Sequence, residues 1–248
     1  MLILLALAAF ASGIVNALAG GGAFLTFPSL IAAGIPAIDA NASSTVALAP
    51  GQFVTAWASR EVVRNTPQEW KSELLSLSII SLVGGTIGAI LLLVTPSQAF
   101  SRLVPWLLLF ATAVFALGGR LQRGDGRRLL GPVAIKLVHG VIAIYGGYFG
   151  GGIGILMLAA LSIYGMRDLR QMNGMKILFA GLMNATATII FIIAGRVHWL
   201  ETGVMMVAAM GGGYAGAKLG GILPAYVVRT AIICVGILLT IYFFAKPA

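Results

Sequence analysis

Long apolar stretches, separated by short polar turns, run along the whole chain. Ten such segments are each roughly 15–22 residues long, which is the length that an α-helix needs to cross a bilayer. In chain order they cover 1–18, 20–34, 41–58, 74–94, 100–118, 132–149, 150–165, 174–194, 201–222 and 227–245. Apolar residues run on without alternation inside them, so the pattern predicts helices rather than the strands of a barrel.

The composition indicates lipid as the solvent. Of 248 residues, 59% are hydrophobic and only 9% are charged, whereas a soluble domain carries about 25% charged residues. No polar stretch is long enough to bury a core of its own, which excludes a separate soluble domain. The predicted fold class is therefore an all-α membrane protein, a polytopic helical bundle.

Landmarks recur in the same order in the two halves of the chain. They are the triplets Gly20-Gly21-Gly22 and Gly150-Gly151-Gly152, and the pairs Gly84-x-x-x-Gly88 and Gly212-x-x-x-Gly216. We expect a first transmembrane repeat over 1–119, a basic linker over 120–131, and a second repeat over 132–248. Five helical segments in each half is an odd number, so the two repeats are predicted to be inverted across the membrane.

Positive charge sets the predicted orientation. Four arginines, Arg120, Arg123, Arg127 and Arg128, lie in the central linker, which the positive-inside rule places in the cytoplasm. Counting back five spans puts the N-terminus outside, with the 35–40 and 195–200 loops. The second of these loops is a mild exception, because it carries Arg196 and His198. We read the net charge of +9 as this bias in a cytoplasmic membrane, and predict no nucleic-acid partner.

The glycine triplets leave two arrangements open. The segments on either side of a triplet are either full spans joined by a tight turn, or half-helices that meet inside the membrane as a glycine-broken hairpin. A helix that begins after a triplet offers free N–H groups and a positive dipole end, both of which attract anions. The competing explanation is close helix packing, for which small residues are common in membranes.

Polar residues cluster where the third segment of each half begins. Asn41, Ser43, Ser44 and Thr45 do so in the first half, and Asn173 and Lys176 in the second. Helix capping is the alternative role for Asn and Ser, but a lysine in an apolar helix must snorkel or find an anion.

Two deeper polar residues, Gln52 and Asn184, occupy roughly matching places, with interhelical hydrogen bonding as the alternative. The candidate substrate-binding residues are Gly20, Gly21, Gly22, Asn41, Ser43, Ser44, Thr45, Gln52, Gly150, Gly151, Gly152, Asn173, Lys176 and Asn184.

The acidic residues narrow the substrate class. All seven fall in predicted loops or at helix ends, whereas a proton or cation carrier keeps a carboxylate inside the membrane. An anionic substrate is therefore preferred, with the lipid bilayer as the other partner and a homodimer left open. The single cysteine, Cys234, excludes an intrachain disulfide, and no hydrolase motif is present. We predict no metal, no cofactor and no enzymatic activity.

Several of these motifs resemble the TauE/SafE sulfite-exporter family over nearly the whole chain. The first half carries Gly20-Gly-Gly-Ala-Phe-Leu-Thr-Phe-Pro28, Gly34-Ile-Pro36 and Asn41-Ala-Ser-Ser-Thr45. The second carries Gly147-Tyr-Phe-Gly-Gly-Gly152, Asn173-Gly-Met-Lys176 and Gly195-Arg-Val-His-Trp199. Met175 stands where that family usually has threonine.

The resemblance implies a secondary transporter that exports small sulfur-containing anions: sulfite, sulfoacetate or a related organosulfonate. The alternative is a membrane enzyme or assembly subunit that transports nothing.

Overall fold

The computed structural model describes residues 1–19, 21–58, 60–65, 68–121, 129–219 and 225–245. Within these ranges the chain forms eleven α-helices and no strand. The helices of the first half are α1 (Leu2–Ala19), α2 (Ala23–Ala32), α3 (Ala37–Ala58), α4 (Arg60–Arg64), α5 (Gln68–Val94) and α6 (Ser97–Leu121). Those of the second half are α7 (Pro132–Tyr148), α8 (Ile153–Ile163), α9 (Leu169–Ile193), α10 (Trp199–Leu219) and α11 (Ala225–Ala245).

Each of the ten predicted segments contains a helix, but two details were wrong. The short helix α4 was not predicted, because five residues carry too little apolar periodicity to be noticed. The helices α3 and α9 also begin four or five residues before the predicted segments. Asn41 and Asn173 therefore lie inside helices and cap nothing. Asp168 caps α9 instead, accepting hydrogen bonds from the backbone N–H groups of Arg170 (2.8 Å) and Gln171 (3.4 Å).

The helices that follow the two glycine triplets are half-length. α2 has 10 residues and α8 has 11, and at about 1.5 Å per residue they extend only about 15–17 Å. The hydrocarbon core of a bilayer is about 30 Å thick. α2 begins beside the middle of α1, since the Ser12 hydroxyl donates to the Gly22 carbonyl at 2.7 Å. The structure matches neither of the two arrangements left open by the sequence in full, because the helix after each triplet is half-length whereas those before them, α1 with 18 residues and α7 with 17, are longer.

The two halves pack across one another. α1 packs chiefly against α10 of the other half, and α7 packs chiefly against α5. α3 contacts α9, and α6 contacts α11. The first helix of each half is therefore covered by the third long helix of the other half, so the core is shared between them.

Glycine allows the closest of these helix contacts. A Cβ atom added at Gly88 of α5 would lie 2.6 Å from the Tyr148 backbone nitrogen at the end of α7. One added at Gly216 of α10 would lie 2.8 Å from the Ile14 Cα atom of α1. Real Cβ atoms do not approach backbone atoms this closely, so both crossings require glycine. The repeated Gly-x-x-x-Gly pattern thus lies at corresponding interfaces.

Helices α3 and α9 run antiparallel. At one end, Asp39 near the start of α3 faces Arg196 (3.5 Å) and His198 (3.7 Å), which follow the end of α9. At the other end, Gly174 near the start of α9 packs against Val62, which follows α3. Arg196 and His198, the exception in the charge pattern, thus share their end of the bundle with an acidic residue.

The described last part of the linker lies at the other end of the bundle, which we call the linker end. There the Leu129 N–H donates to the Ile163 carbonyl at the end of α8, over 3.1 Å. The loop from α8 to α9 starts there and carries Arg167. Arg120 falls in α6, at a position whose side chain is not described, while Arg123, Arg127 and Arg128 lie outside the described residues.

The outer surface is apolar. Large hydrophobic side chains are exposed on many helices, among them Trp57, Val141, Ile193 and Val207. Within the described residues, three helices are long and apolar enough to cross a membrane by themselves: Glu73–Val94, Ser97–Val114 and Leu169–Ile193. Apolar side chains at this density would be costly in water, so this surface suits lipid.

Candidate functional site

A cavity of about 110 Å³ lies between the two halves. Its walls come from α1, α3 and α9 and from the starts of the half-helices α2 and α8. The lining includes Asn16, Gly21, Gly22, Ala23, Ser44, Thr45, Leu48, Gln52, Thr55, Gly150, Gly152, Gly154, Lys176, Ile177, Ala180, Gly181 and Asn184. A cavity of this size holds several waters or one small solute, because a single water needs only about 10–15 Å³ by the same measure.

The walls contributed by α3 and α9 are built from corresponding positions. Ser44, Thr45, Leu48 and Gln52 of α3 each line the cavity, and so does the residue 132 positions later in α9. These α9 residues are Lys176, Ile177, Ala180 and Asn184. The sequence separation matches the spacing of the repeats, so the cavity lies where the two halves present the same helix face to each other.

Gln52 and Asn184 meet directly across this interface. The Asn184 Nδ2 group donates to the Gln52 Oε1 atom at 2.8 Å, and Asn184 is only 8% exposed. The bond uses one hydrogen of the Asn184 amide and leaves the second one, together with the Gln52 amide group, for other partners. The pair therefore joins the halves and still offers N–H donors beside the cavity.

The start of α8 contributes backbone N–H groups. Gly150 and Gly152 have φ angles of +73° and +74°, which a residue with a side chain rarely adopts. Among the described residues, the N–H groups of Gly152 and Gly154 have no hydrogen-bond acceptor. Both glycines line the cavity, so the positive end of the α8 dipole faces it.

Lys176 gives the cavity its charge. Among the described lining residues it is the one with an ionisable side chain, and no carboxylate accompanies it. Its Nζ atom donates to the Asn173 Oδ1 atom at 3.1 Å, one turn closer to the linker end. An ammonium has three donors, so two stay available. A lysine and two helix starts without an acidic residue make a positive environment.

Most of the predicted site residues come together here. Nine of the fourteen line the cavity: Gly21, Gly22, Ser44, Thr45, Gln52, Gly150, Gly152, Lys176 and Asn184. Gly20 lies outside the described residues. Whether any of the nine binds a substrate stays a prediction.

The other four predicted residues lie behind the wall. Asn41 donates to the Tyr148 carbonyl at 3.1 Å, and the Ser43 hydroxyl oxygen accepts from the His198 N–H at 3.0 Å. The Gly151 carbonyl accepts from the Tyr145 hydroxyl at 2.6 Å, and Asn173 accepts from Lys176. In each case at least one polar atom of the residue is bonded to a protein group.

Two lining residues with polar side chains were missed. Asn16 lies on α1 and Thr55 near the end of α3. Asn16 interrupts an otherwise apolar segment, which is the signal that could have identified it, since an amide within the membrane is usually functional or paired. Thr55 gives a weaker signal because its hydroxyl donates to the Gly51 carbonyl of its own helix at 2.7 Å.

Met175, the residue at the family's usual threonine position, does not line the cavity. Its side chain is buried among the apolar residues of the linker end. The neighbouring Lys176 faces the cavity instead, because successive residues of a helix point in directions about 100° apart.

The cavity extends toward the linker end. On α3 its wall runs from Ser44 to the exposed Thr55, about one turn before the end of the helix. In the opposite direction, the rings of Phe27 and Phe149 pack edge to face at 5.6 Å. Beyond them Phe27 contacts Phe100 at 6.5 Å. Both Phe27 and Phe100 are fully buried, so apolar packing closes that side.

A family model described as sulfite exporter TauE/SafE matches residues 5–243. The chain belongs to the TauE/SafE family. The match spans both halves and both half-helices, so the family assignment covers the whole site.

Curated relatives agree on membrane transport. The chain is 28% identical to the probable membrane transporter protein ORF9 of Sinorhizobium, covering 100% of this chain and 94% of the relative. It is also 28% identical to the probable membrane transporter protein YfcA of Escherichia coli K12, covering 86% and 76%. A probable membrane transporter protein of Haemophilus influenzae is 25% identical, covering 85% and 81%. No solved structure matches the chain. Family and relatives together indicate a membrane transporter.

Proposed function

We propose that this protein is a secondary transporter for small sulfur-containing anions and that the cavity between the halves is its substrate site. The observation that carries the proposal is the lining, which in the described part of the chain has one lysine, no carboxylate and the starts of two half-helices around a small space. Backbone N–H groups at a helix start and a lysine are suitable donors for the oxygens of an oxyanion. An anion there would meet positive potential from three directions.

Two inverted repeats account for the arrangement. If α1 corresponds to α7 and α5 corresponds to α10, the contact of α1 with α10 has its equivalent in the contact of α7 with α5. In the same way α3 corresponds to α9, and these two helices contact each other and run antiparallel. Gln52 and Asn184 then lie next to the symmetry axis, which is where inverted-repeat transporters bind substrate.

Alternating access follows from the same symmetry. The described cavity reaches toward the linker end, which the arginines of the linker assign to the cytoplasm. On the far side, two contacts join the halves: the Asn41 amide donates to the Tyr148 carbonyl at 3.1 Å, and the Ser43 hydroxyl oxygen accepts from the His198 N–H at 3.0 Å. Rocking of the halves would break these contacts, open the outer side and close the inner one.

The substrate class comes from the family and from the chemistry of the lining. Sulfite and sulfonates present three oxygens on sulfur, which suit N–H donors arriving from two helix starts and a lysine. Apolar residues such as Leu48 and Ile177 leave room for the carbon atoms of an organosulfonate. An inside-negative membrane potential drives an anion outward by about 2.3 kcal/mol per 100 mV, so export needs no coupled ion.

The decisive experiment is anion efflux from proteoliposomes at a clamped potential. Sulfite and sulfoacetate are loaded inside, and efflux is compared for the unchanged protein and for Lys176→Met. A hydrogen bond to a charged group contributes about 1.5–3 kcal/mol, which corresponds to a loss of flux of at least about tenfold at low concentration. Lys136→Met is the matched control, because Lys136 is exposed on α7 and does not line the cavity.

The outcomes separate the alternatives. Saturable, voltage-dependent efflux that is lost in Lys176→Met but kept in Lys136→Met supports the proposal. Absence of efflux for every anion tested would favour a subunit or enzyme that transports nothing. Efflux that is independent of voltage but depends on a pH gradient would contradict export of the anion without a coupled ion.

A further inference from the structure

A tyrosine hydroxyl outside the cavity holds the glycine turn that opens α8. Tyr145 lies on α7, and its hydroxyl donates to the Gly151 carbonyl oxygen at 2.6 Å. Its ring is fixed by edge-to-face contacts with Phe110 (5.3 Å) and Phe149 (6.3 Å). Neither Tyr145 nor Gly151 lines the cavity. The bond therefore contacts the turn on the side that does not line the cavity.

The direction of this bond fixes the direction of an N–H group. The peptide bond between Gly151 and Gly152 is trans, as are all peptide bonds in the described ranges. In a trans peptide the carbonyl and the following N–H point in opposite directions. With the Gly151 carbonyl turned toward Tyr145, the Gly152 N–H points away from it, and Gly152 is one of the residues that line the cavity.

Without the tyrosine, the turn would be free to reverse. Gly150, Gly151 and Gly152 are consecutive, and glycine adopts positive and negative φ angles about equally well. Rotating the Gly151–Gly152 peptide by half a turn would exchange the N–H for a carbonyl oxygen. The peptide dipole is positive at its N–H end and negative at its carbonyl end, so the orientation of this one peptide decides whether it attracts or repels an anion.

The first half contains a corresponding arrangement. The Ser12 hydroxyl on α1 donates to the Gly22 carbonyl at 2.7 Å, and Ser12 is fully buried. The N–H of the same peptide belongs to Ala23, which lines the cavity. In each half a hydroxyl from the helix before the triplet donates to a glycine carbonyl; in the first half that carbonyl also accepts from the Leu25 N–H of α2 at 3.0 Å.

We propose that Tyr145, with Ser12 as its counterpart, is a positioning residue that keeps the N–H side of the glycine turn facing the transported anion. The proposal rests on the proposed function, because it assigns the cavity to an anion. Tyr145 and Ser12 touch no substrate themselves. They raise the fraction of molecules whose turn is competent to bind, and the apparent affinity scales with that fraction.

The test compares Tyr145→Phe with Tyr164→Phe in the efflux assay. Both variants lose one phenolic oxygen, but the Tyr164 hydroxyl is buried without a hydrogen-bond partner among the described residues. Losing one neutral hydrogen bond should raise the half-saturating sulfite concentration about three- to tenfold in Tyr145→Phe. Maximal flux should stay within about twofold, since saturating anion selects the competent turn. Tyr164→Phe should match the unchanged protein.

A purely structural role predicts a different pattern. A loosened bundle would lower the amount of active protein, and with it the maximal flux, while leaving the half-saturating concentration where it was. That pattern would overturn the proposal. So would an unchanged half-saturating concentration in a Tyr145→Phe protein that elutes as a single species.

A second pair of variants tests the first half of the chain, and it keeps the proposal testable if Tyr145→Phe misfolds. Ser12→Ala should raise the half-saturating concentration in the same direction. Ser29→Ala, which loses only a bond within α2 (2.8 Å to the Thr26 carbonyl), should leave it unchanged. Equal values for Ser12→Ala and Ser29→Ala would refute the counterpart role. If the unchanged protein shows no saturable efflux, the proposed function fails and takes this inference with it.

Discussion

Replacing Gly88 by alanine tests the close crossing of α5 and α7. The added methyl carbon would lie 2.6 Å from the Tyr148 backbone nitrogen and 2.9 Å from the Gly147 carbonyl carbon. Both neighbours are backbone atoms, so no side-chain rotation relieves the overlap. The two helices must separate, and with them the packing along their whole contact.

The size of the effect follows from two opposing terms. Overpacking of a tight interface costs about 1–3 kcal/mol, occasionally more. Alanine recovers up to about 1 kcal/mol through its higher helix propensity. Because the contact is with backbone, the upper part of the first range applies, and the net loss should be about 2 kcal/mol. At about 2–4 °C per kcal/mol for a chain of this length, the Tm should fall by roughly 4–8 °C.

The shift in Tm is measured by heating the detergent-purified protein and determining, at each temperature, the fraction that stays monodisperse on size exclusion. Gly203→Ala is the matched control, because nothing lies within 4 Å of a Cβ atom added there. That variant should be as stable as the unchanged protein or slightly more so. Gly216→Ala should repeat the loss, since its Cβ would lie 2.8 Å from the Ile14 Cα atom.

A Gly88→Ala protein as stable as Gly203→Ala would refute the close approach of α5 and α7. A loss at Gly88 without one at Gly216 would contradict the correspondence of the two crossings.

Two further substitutions separate the site from the scaffold. Gln52→Glu keeps the oxygen that accepts from Asn184 at 2.8 Å but adds a negative charge to the cavity wall. Sulfite efflux at low concentration should fall at least about tenfold by charge repulsion, and efflux within twofold of normal would contradict an anion site. His139→Ala removes a buried ring whose Nε2 atom lies 2.8 Å from the Ser81 hydroxyl. It should lower stability by about 1–3 kcal/mol, seen in thermal unfolding, while a change in half-saturating concentration would show that His139 serves transport.

Most of the helices were predictable from the chain alone. Their apolar runs meet a local requirement, because every backbone polar group inside lipid must be paired within its own segment. Boundaries were less certain where polar residues extend a helix beyond its apolar stretch. For α9 the deciding interaction was the cap made by Asp168, which lies before the apolar run begins.

Part of the candidate site was also visible in the sequence. The glycine triplets and the polar residues that open the third segments recur at matching spacings. Lys176 is conspicuous in an apolar helix, because a charge there needs a reason. Asn16 was overlooked because one amide in an apolar segment has no partner in the sequence to draw attention to it.

Hydropathy by itself determined a helical membrane protein, and the repeated spacings predicted two matching halves with a positive, glycine-rich centre. Only the tertiary structure decided that α2 and α8 are half-helices, and that Gln52 is hydrogen-bonded to Asn184, which lies 132 residues later in the chain. It also decided that Asn41, Ser43 and Asn173 bond to protein groups, while Ser44 and Lys176 line the cavity. The physical reason is that hydropathy is a property of each segment, whereas the face that a helix shows to a cavity depends on which helix covers its other side.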